Sequence, residues 1–248
     1  MADREAVFEG RSALVVGGSG GIGRAVAVGL AERGARVCIH GGHSAGRLER
    51  TLAELRKAEA PDSAASGFLY NIEASSPEEA AQFILAKMDQ TPDILVLAWG
   101  PFARNASLAE TTAKEWRFMT EFNLIFPEVL VSLAIRDMLR RGWGRILLFG
   151  GTKTSEISGF STTVAYSAAK TALGVLVKSA ARASCWGVTC NLICPGLVDT
   201  EYSTSAERLY NSRSPGGALD CGAVARAALA VLENEAVNGS LIPVDGGL

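Results

Sequence analysis

Short apolar runs alternate along the chain with longer stretches whose apolar residues recur at helical spacing. Seven runs read as strands: Ala13–Val16, Arg36–Ile39, Gly67–Tyr70, Asp93–Ala98, Arg145–Phe149, Val188–Ile193 and Ser240–Pro243. None alternates strictly between apolar and polar residues, as expected of strands covered by helices on both faces. Among the helical stretches, Leu48, Leu52 and Leu55 share one face. Ser76-Pro77-Glu78-Glu79 offers an N-cap serine, a proline at the first helical position and a reciprocal glutamate; Thr112-Ala113-Lys114-Glu115 is a second capping box. Strand and helix in alternation mark βαβ units around a parallel sheet. The pattern predicts one α/β domain over residues 1–248, a doubly wound parallel seven-stranded sheet with helices on both faces. No repeat, low-complexity tract or linker interrupts it. The irregular stretch 197–220 follows a strand, holds small and polar residues, and is a candidate substrate lid.

Composition narrows the class. A 48% hydrophobic fraction over 248 residues is ample for a core and excludes disorder as the main state. With 24 basic against 26 acidic residues the net charge is −2, and no Lys/Arg cluster stands out, which argues against nucleic acid as a partner. No segment approaches the ~18 uncharged apolar residues that span a bilayer, and the charged start, Met1-Ala2-Asp3-Arg4-Glu5, lacks a signal-peptide core. The five cysteines form no C-x-x-C, so reduced thiols and a cytoplasmic setting are expected, with no membrane partner. His40 and His43 have no metal-like partners at suitable spacing, so no metal is expected.

The first strand runs into Gly17-Gly18-Ser19-Gly20-Gly21-Ile22-Gly23 and then a helix. Absent side chains let the backbone approach a pyrophosphate, and the helix N-terminus offers it free N–H groups. A tight turn would need the same glycines; the strand–loop–helix order favours the nucleotide. After the second strand, an acid would bind a ribose 2′-hydroxyl and a cation a 2′-phosphate. His40-Gly41-Gly42-His43-Ser44 contains no acid, and His43, Ser44 and Arg47 suit a phosphate, so NADP(H) is favoured over NAD(H).

Tyr166 and Lys170 are four apart in a helical stretch and share its face. An ammonium about 4 Å from a phenol is worth on the order of 4 kcal/mol at an effective dielectric near 20. That is enough to lower a tyrosine pKa by up to ~3 units, towards general acid–base work. Taken alone, the pair reads equally well as a surface tyrosine beside a solvated lysine.

Together these residues resemble the short-chain dehydrogenase/reductase family over nearly the whole chain, most closely its 3-oxoacyl-carrier reductases. The resemblance includes Gly17, Gly21 and Gly23, Phe122-Asn123-Leu124, Gly144-Arg145-Ile146, Tyr166 with Lys170, Cys194-Pro195-Gly196-Leu197-Val198-Asp199-Thr200, and the ending Asn238 to Gly247. It implies a Rossmann-type fold and a ketone–alcohol interconversion. In it Tyr166 protonates the carbonyl oxygen, Lys170 lowers the tyrosine pKa and holds the ribose, and Asn123 binds a water linking the lysine to solvent. The cofactor contacts it implies are Gly17, Ser19, Gly20, Gly21, Ile22, Gly23, Asn71, Ile72, Ala98, Gly100, Pro195, Gly196, Val198 and Thr200.

The chain departs from the family's pattern in four places. Val16 stands where a threonine is usual. Leu97-Ala98-Trp99-Gly100 replaces Asn-Asn-Ala-Gly, and Trp99 either narrows the pocket or packs structurally. The catalytic serine is missing where Gly150-Gly151 stand; Thr152 is the first substitute, ahead of Ser155 and Ser161. Arg213-Ser214-Pro215-Gly216-Gly217 is shortened. The implied substrate is a small-molecule or acyl-carrier-borne carbonyl. A homodimer or homotetramer is expected through helices near Glu121–Arg140 and Val164–Ala183. Two other functions compete: an enoyl-thioester reductase, against which Lys170 counts, and a catalytically weak dinucleotide-binding sensor or assembly protein.

Overall fold

The computed structural model of the chain describes residues 6–58, 65–184, 187–203 and 217–247. Its main sheet contains β1 (Ser12–Val16), β2 (Arg36–Gly41), β3 (Ser66–Leu69), β4 (Ile94–Leu97), β5 (Gly144–Phe149), β6 (Val188–Pro195) and, last in the chain, β9 (Leu241–Val244). The spatial order is β3-β2-β1-β4-β5-β6-β9, and every pair is parallel. All seven predicted strands are present. A second, unpredicted ladder pairs β7 (Val198–Asp199) with β8 (Leu219–Asp220) across the candidate lid. Residues 204–216 of that lid, including most of the shortened segment, and Cys185 lie outside the described residues.

Helices α1 (Gly21–Ala31), α2 (Ala45–Ala58), α3 (Pro77–Leu85), α4 (Ala113–Thr120), α5 (Phe126–Arg141), α6 (Val164–Ala183) and α7 (Cys221–Glu233) cover both faces. Two apolar clusters fill the layers. One joins Val15, Val26, Leu30, Leu55, Val224 and Leu229; the other joins Leu14, Ile84, Phe126, Leu130, Leu173 and Val177. β1 is buried along its whole length, which explains its unbroken apolar run. Both predicted capping boxes form, at Ser76 with Glu79 and at Thr112 with Glu115.

α4 and α5 are one 29-residue helix, Ala113–Arg141, interrupted by a π-helical turn at Glu121–Ile125. By length and composition it is apolar enough to cross a membrane, although Glu121 and Glu128 interrupt it, so it is not an uncharged apolar run. Its apolar face, with Phe122, Phe126, Leu130, Ala134 and Met138, is instead buried in the core. The π turn has a local cause. Pro127 has no N–H to offer the Asn123 carbonyl four residues back, and its ring crowds that carbonyl. The ladder slips one residue, and the Phe126 N–H bonds to the Glu121 carbonyl instead. Asn123 is thereby set in the wide turn, facing the C-terminal end of the sheet.

At the other end of the sheet, buried Arg145 binds three layers together. It donates from Nε to the Leu232 carbonyl (3.0 Å) and from Nη1 to the carbonyls of Gly144 (3.0 Å) and Gly187 (2.8 Å). Arg145→Met keeps the volume and orphans those carbonyls, so a loss of about 2–4 kcal/mol is expected in urea denaturation. A loss below about 1 kcal/mol would show that the clamp is dispensable.

Candidate active site

The strand order reverses between β1 and β4, and ligands bind open α/β sheets at such a switch point, beyond the carboxyl ends of the strands. A cleft of about 270 Å³ lies there, lined by Ile22, Ala98, Trp99, Gly100, Phe149, Gly150, Gly151, Thr152, Tyr166, Lys170, Pro195, Gly196 and Val198. It joins sequence-distant residues that the motifs had singled out.

Of the glycine loop, Ile22 lines the cleft, and the rest of the loop lies alongside. Gly17 has φ of +82°, and a β-carbon there would fall 2.9 Å from the Ala98 carbonyl carbon, so only glycine lets β1 turn against β4. The loop is braced from below by His40. The Gly17 N–H donates to His40 Nδ1 (3.3 Å), and His40 Nε2–H donates to the Tyr70 carbonyl (2.8 Å). Burial lowers the His40 pKa, which keeps the ring neutral with one acceptor and one donor. His43, the expected phosphate contact, is exposed. Arg47 has its guanidinium 5.0 Å from the Tyr202 ring centroid, and its Nε is buried without a partner among the described residues.

Lys170 is 4% exposed and donates from Nζ to the Phe149 carbonyl at 3.0 Å. A β-carbon on Gly100 would fall 2.8 Å from Lys170 Nζ and 2.5 Å from Asn123 Oδ1, so both polar ends converge on that glycine. Asn123 donates from Nδ2 to the Pro101 carbonyl (3.0 Å), while its Oδ1 is buried and has no partner among the described residues. Trp99 lines the cleft and also packs into the protein. Its ring sits edge-on to Phe122 and Phe126, with centroids 6.2 and 5.5 Å away.

Tyr166 lies between Phe102, edge-on at 5.4 Å, and Gly151, where a β-carbon would fall 3.5 Å from the phenol oxygen. Gly151 thus holds the place facing the tyrosine hydroxyl. Thr152, next along, lines the cleft, whereas Ser155 and Ser161 do not. The signal missed in the sequence is Thr154. It is fully buried, its Oγ1 accepts from the Gly151 N–H (2.8 Å) and donates to the Gly151 carbonyl (2.9 Å), and it ties the loop shut.

The tyrosine–lysine electrostatics run opposite to expectation. Burial pushes Tyr166 up to about 12 and Lys170 down to about 8. Desolvation outweighs the attraction of the ammonium, which lies 5.8 Å from the phenol ring centroid. Tyr166 is held as a phenol at neutral pH.

Nine expected cofactor contacts do not line the cleft: Gly17, Ser19, Gly20, Gly21 and Gly23 of the loop, His43, Asn71, Ile72 and Thr200. Asn71 Oδ1 caps a short turn by accepting from the Glu73 N–H, and the Ile72 side chain is buried in the core. Thr200 braces a turn with Ser203, its N–H donating to Ser203 Oγ (3.0 Å), and lies against Gly21. A glycine-rich loop at a helix start, beside a cleft lined by a buried ammonium with an orphaned amide oxygen close behind it, fits a nicotinamide dinucleotide.

The chain matches the family profile described as short chain dehydrogenase over residues 11–210. It is 30% identical over 251 residues to the 3-oxoacyl-[acyl-carrier-protein] reductase FabG of Escherichia coli (strain K12), covering 97% of this chain and 98% of that protein. The crystal structure of a 3-oxoacyl (acyl-carrier-protein) reductase from Agrobacterium tumefaciens C58 with NADP bound superposes with a TM-score of 0.84 at 28% identity, covering 100% of this chain and 98% of that one. A variant of actinorhodin polyketide ketoreductase with NADPH superposes with a TM-score of 0.78 at 28% identity, covering 96% and 97%.

The Lys170 burial has a measurable consequence. Its folded value near 8 lies below an unfolded value of roughly 10.4, so the unfolded chain binds the extra proton between those values. The penalty is nearly full at pH 7, fades as pH rises from about 8, and is gone above roughly 10.4. Lys170→Met is expected to raise stability at pH 7 by about 1–3 kcal/mol and to lose that gain near pH 10.5, by urea denaturation at both pH values. Lower stability at pH 7 would mean that the Phe149 bond outweighs desolvation.

Proposed function

Because the chain belongs to the short-chain dehydrogenase family, we propose that it is an NADP(H)-dependent oxidoreductase interconverting a ketone and a secondary alcohol, with a 3-oxoacyl thioester as the first substrate class. The observation that carries this reading is the one cleft in which Tyr166, Lys170 and Thr152 meet Ile22 of the glycine loop, Pro195 at the end of β6, and Gly196 and Val198 beyond it. The substrate class is supported by the relatives named for 3-oxoacyl reduction. The NADP(H) preference is supported by the absence of an acid after β2, by Arg47 in α2, and by structural neighbours holding NADP or NADPH.

When bound, the nicotinamide supplies the hydride. The chain's own residues handle position and protons. Tyr166, kept as a phenol by burial, donates its proton to the carbonyl oxygen as that oxygen gains charge. Lys170 steadies the phenolate left behind. The partnerless Asn123 Oδ1, close to Lys170 Nζ, suits a bridging water that returns the proton. Thr152 orients the carbonyl in place of the absent serine. The stretch 197–220 acts as the substrate lid. A cytoplasmic setting suits the four free cysteines among the described residues. Assembly as a homodimer or homotetramer suits the exposed Ile125 and Val175 on the two long helices.

The test is oxidation of NADPH by purified protein in the presence of short 3-oxoacyl thioesters and simple ketones. Tyr166→Phe is expected to lower kcat by about 10²–10⁴, and Thr152→Ala by about 10² with NADPH binding unchanged. Full turnover by Tyr166→Phe would sink the mechanism.

A further inference from the structure

α1 begins without the anion that helix starts favour. Its N-cap, Gly20, makes no side-chain capping bond, and its first turn holds no acidic residue. The missing charge comes from the other side of the cleft. After β7, the Tyr202 N–H donates to Thr200 Oγ1 (3.2 Å) and the Thr200 N–H to Ser203 Oγ (3.0 Å), forming a tight turn. That turn sets Glu201 and Tyr202 over the glycine loop. A β-carbon placed on Gly20 would overlap both Glu201 Oε1 and the Tyr202 hydroxyl. Glu201 Oε2 lies 3.4 Å from Arg24 Nη2 in the first turn of α1, and Arg24 also meets Glu54 at 3.3 Å. The Tyr202 ring covers the Arg47 guanidinium at 5.0 Å. One short strap therefore rests its carboxylate on the helix start and its ring on the neighbouring cation.

Resting on the dinucleotide reading above, we propose that Glu201 is a built-in occupant of the anion site at the start of α1, which the cofactor's pyrophosphate displaces, so that Glu201 sets cofactor affinity. A carboxylate packed against Gly20 and a phosphate drawn to the same helix start repel each other and compete for one space, so binding requires the strap to lift. The counter-charge that Glu201 gives Arg24 opposes the phosphate as well.

The experiment is titration of the purified protein with NADPH, read by nucleotide fluorescence, for wild type, Glu201→Gln and Glu201→Asp. Saturable binding by wild type sustains the dinucleotide reading on its own. Glu201→Gln is expected to bind about two- to tenfold more tightly, Glu201→Asp to stay near wild type, and added salt to narrow the gap. In the protein alone, loss of the Glu201–Arg24 pair should loosen the strap, so the amides of Thr200 and Tyr202 should exchange hydrogen faster in Glu201→Gln. Equal or weaker binding by Glu201→Gln, or unchanged exchange, overturns the proposal while leaving the dinucleotide reading intact. No binding by wild type overturns both.

Discussion

The desolvated ammonium of Lys170 is the constraint around which the C-terminal end of the sheet is arranged. A 4%-exposed lysine is costly, and the chain offsets the cost with one direct bond, to the carbonyl that ends β5. The neighbours are those that such a group tolerates. Gly100 leaves no β-carbon in the way, and Asn123 brings an amide oxygen close without a charge. Asn123 is there because Pro127 forces a π turn into an otherwise regular helix. A backbone irregularity, a glycine and a strand end are thus consequences of holding one cation under the cleft. The price in stability is borne where the chemistry requires it.

Burial also decides the protonation of the acid. Proximity to Lys170 would favour the tyrosinate, and desolvation the phenol; at 5.8 Å from ring centroid to ammonium, desolvation wins. A carbonyl reduction needs a proton donor at the developing alkoxide, and a phenol held neutral is such a donor. In the reaction proposed above, the lysine's influence falls on the phenolate that forms after transfer, when a charge exists for it to stabilise.

The sheet was legible because parallel strands buried on both faces write apolar runs that no loop imitates. Its ends moved by one or two residues, as β6 did from Ile193 to Pro195. The β7–β8 ladder was not legible, since two-residue strands about twenty residues apart carry no period. Tyr166, Lys170 and the glycine loop were legible because their chemistry depends on local spacing. His40 and Thr154 were not, because each acts on backbone groups far along the chain or hidden in a turn. The polarity of His40 near the buried end of β2 was an available signal; Thr154, five residues beyond β5, offered none. The sign of the tyrosine shift was illegible for a related reason: spacing of four fixes a shared face, while burial depends on Phe102 and Gly151 arriving from other elements.

The displaced hydroxyl follows from the same geometry. Side chains leaving a strand alternate between faces, so moving a hydroxyl from position 151 to 152 would turn it away from Tyr166 if the chain ran straight on. It does not run straight. Thr154 folds back to bond both polar groups of Gly151, and Lys153 takes a φ of +58°, the left-handed conformation that non-glycine residues adopt at local cost. That turn returns Thr152 to the cleft. The glycine pair at 150–151 is then not simply a lost serine. Gly150 would crowd Thr154 Oγ1 and Cys194 Sγ with any β-carbon, at 2.6 and 2.9 Å, so the clasp that re-aims Thr152 itself demands a glycine there.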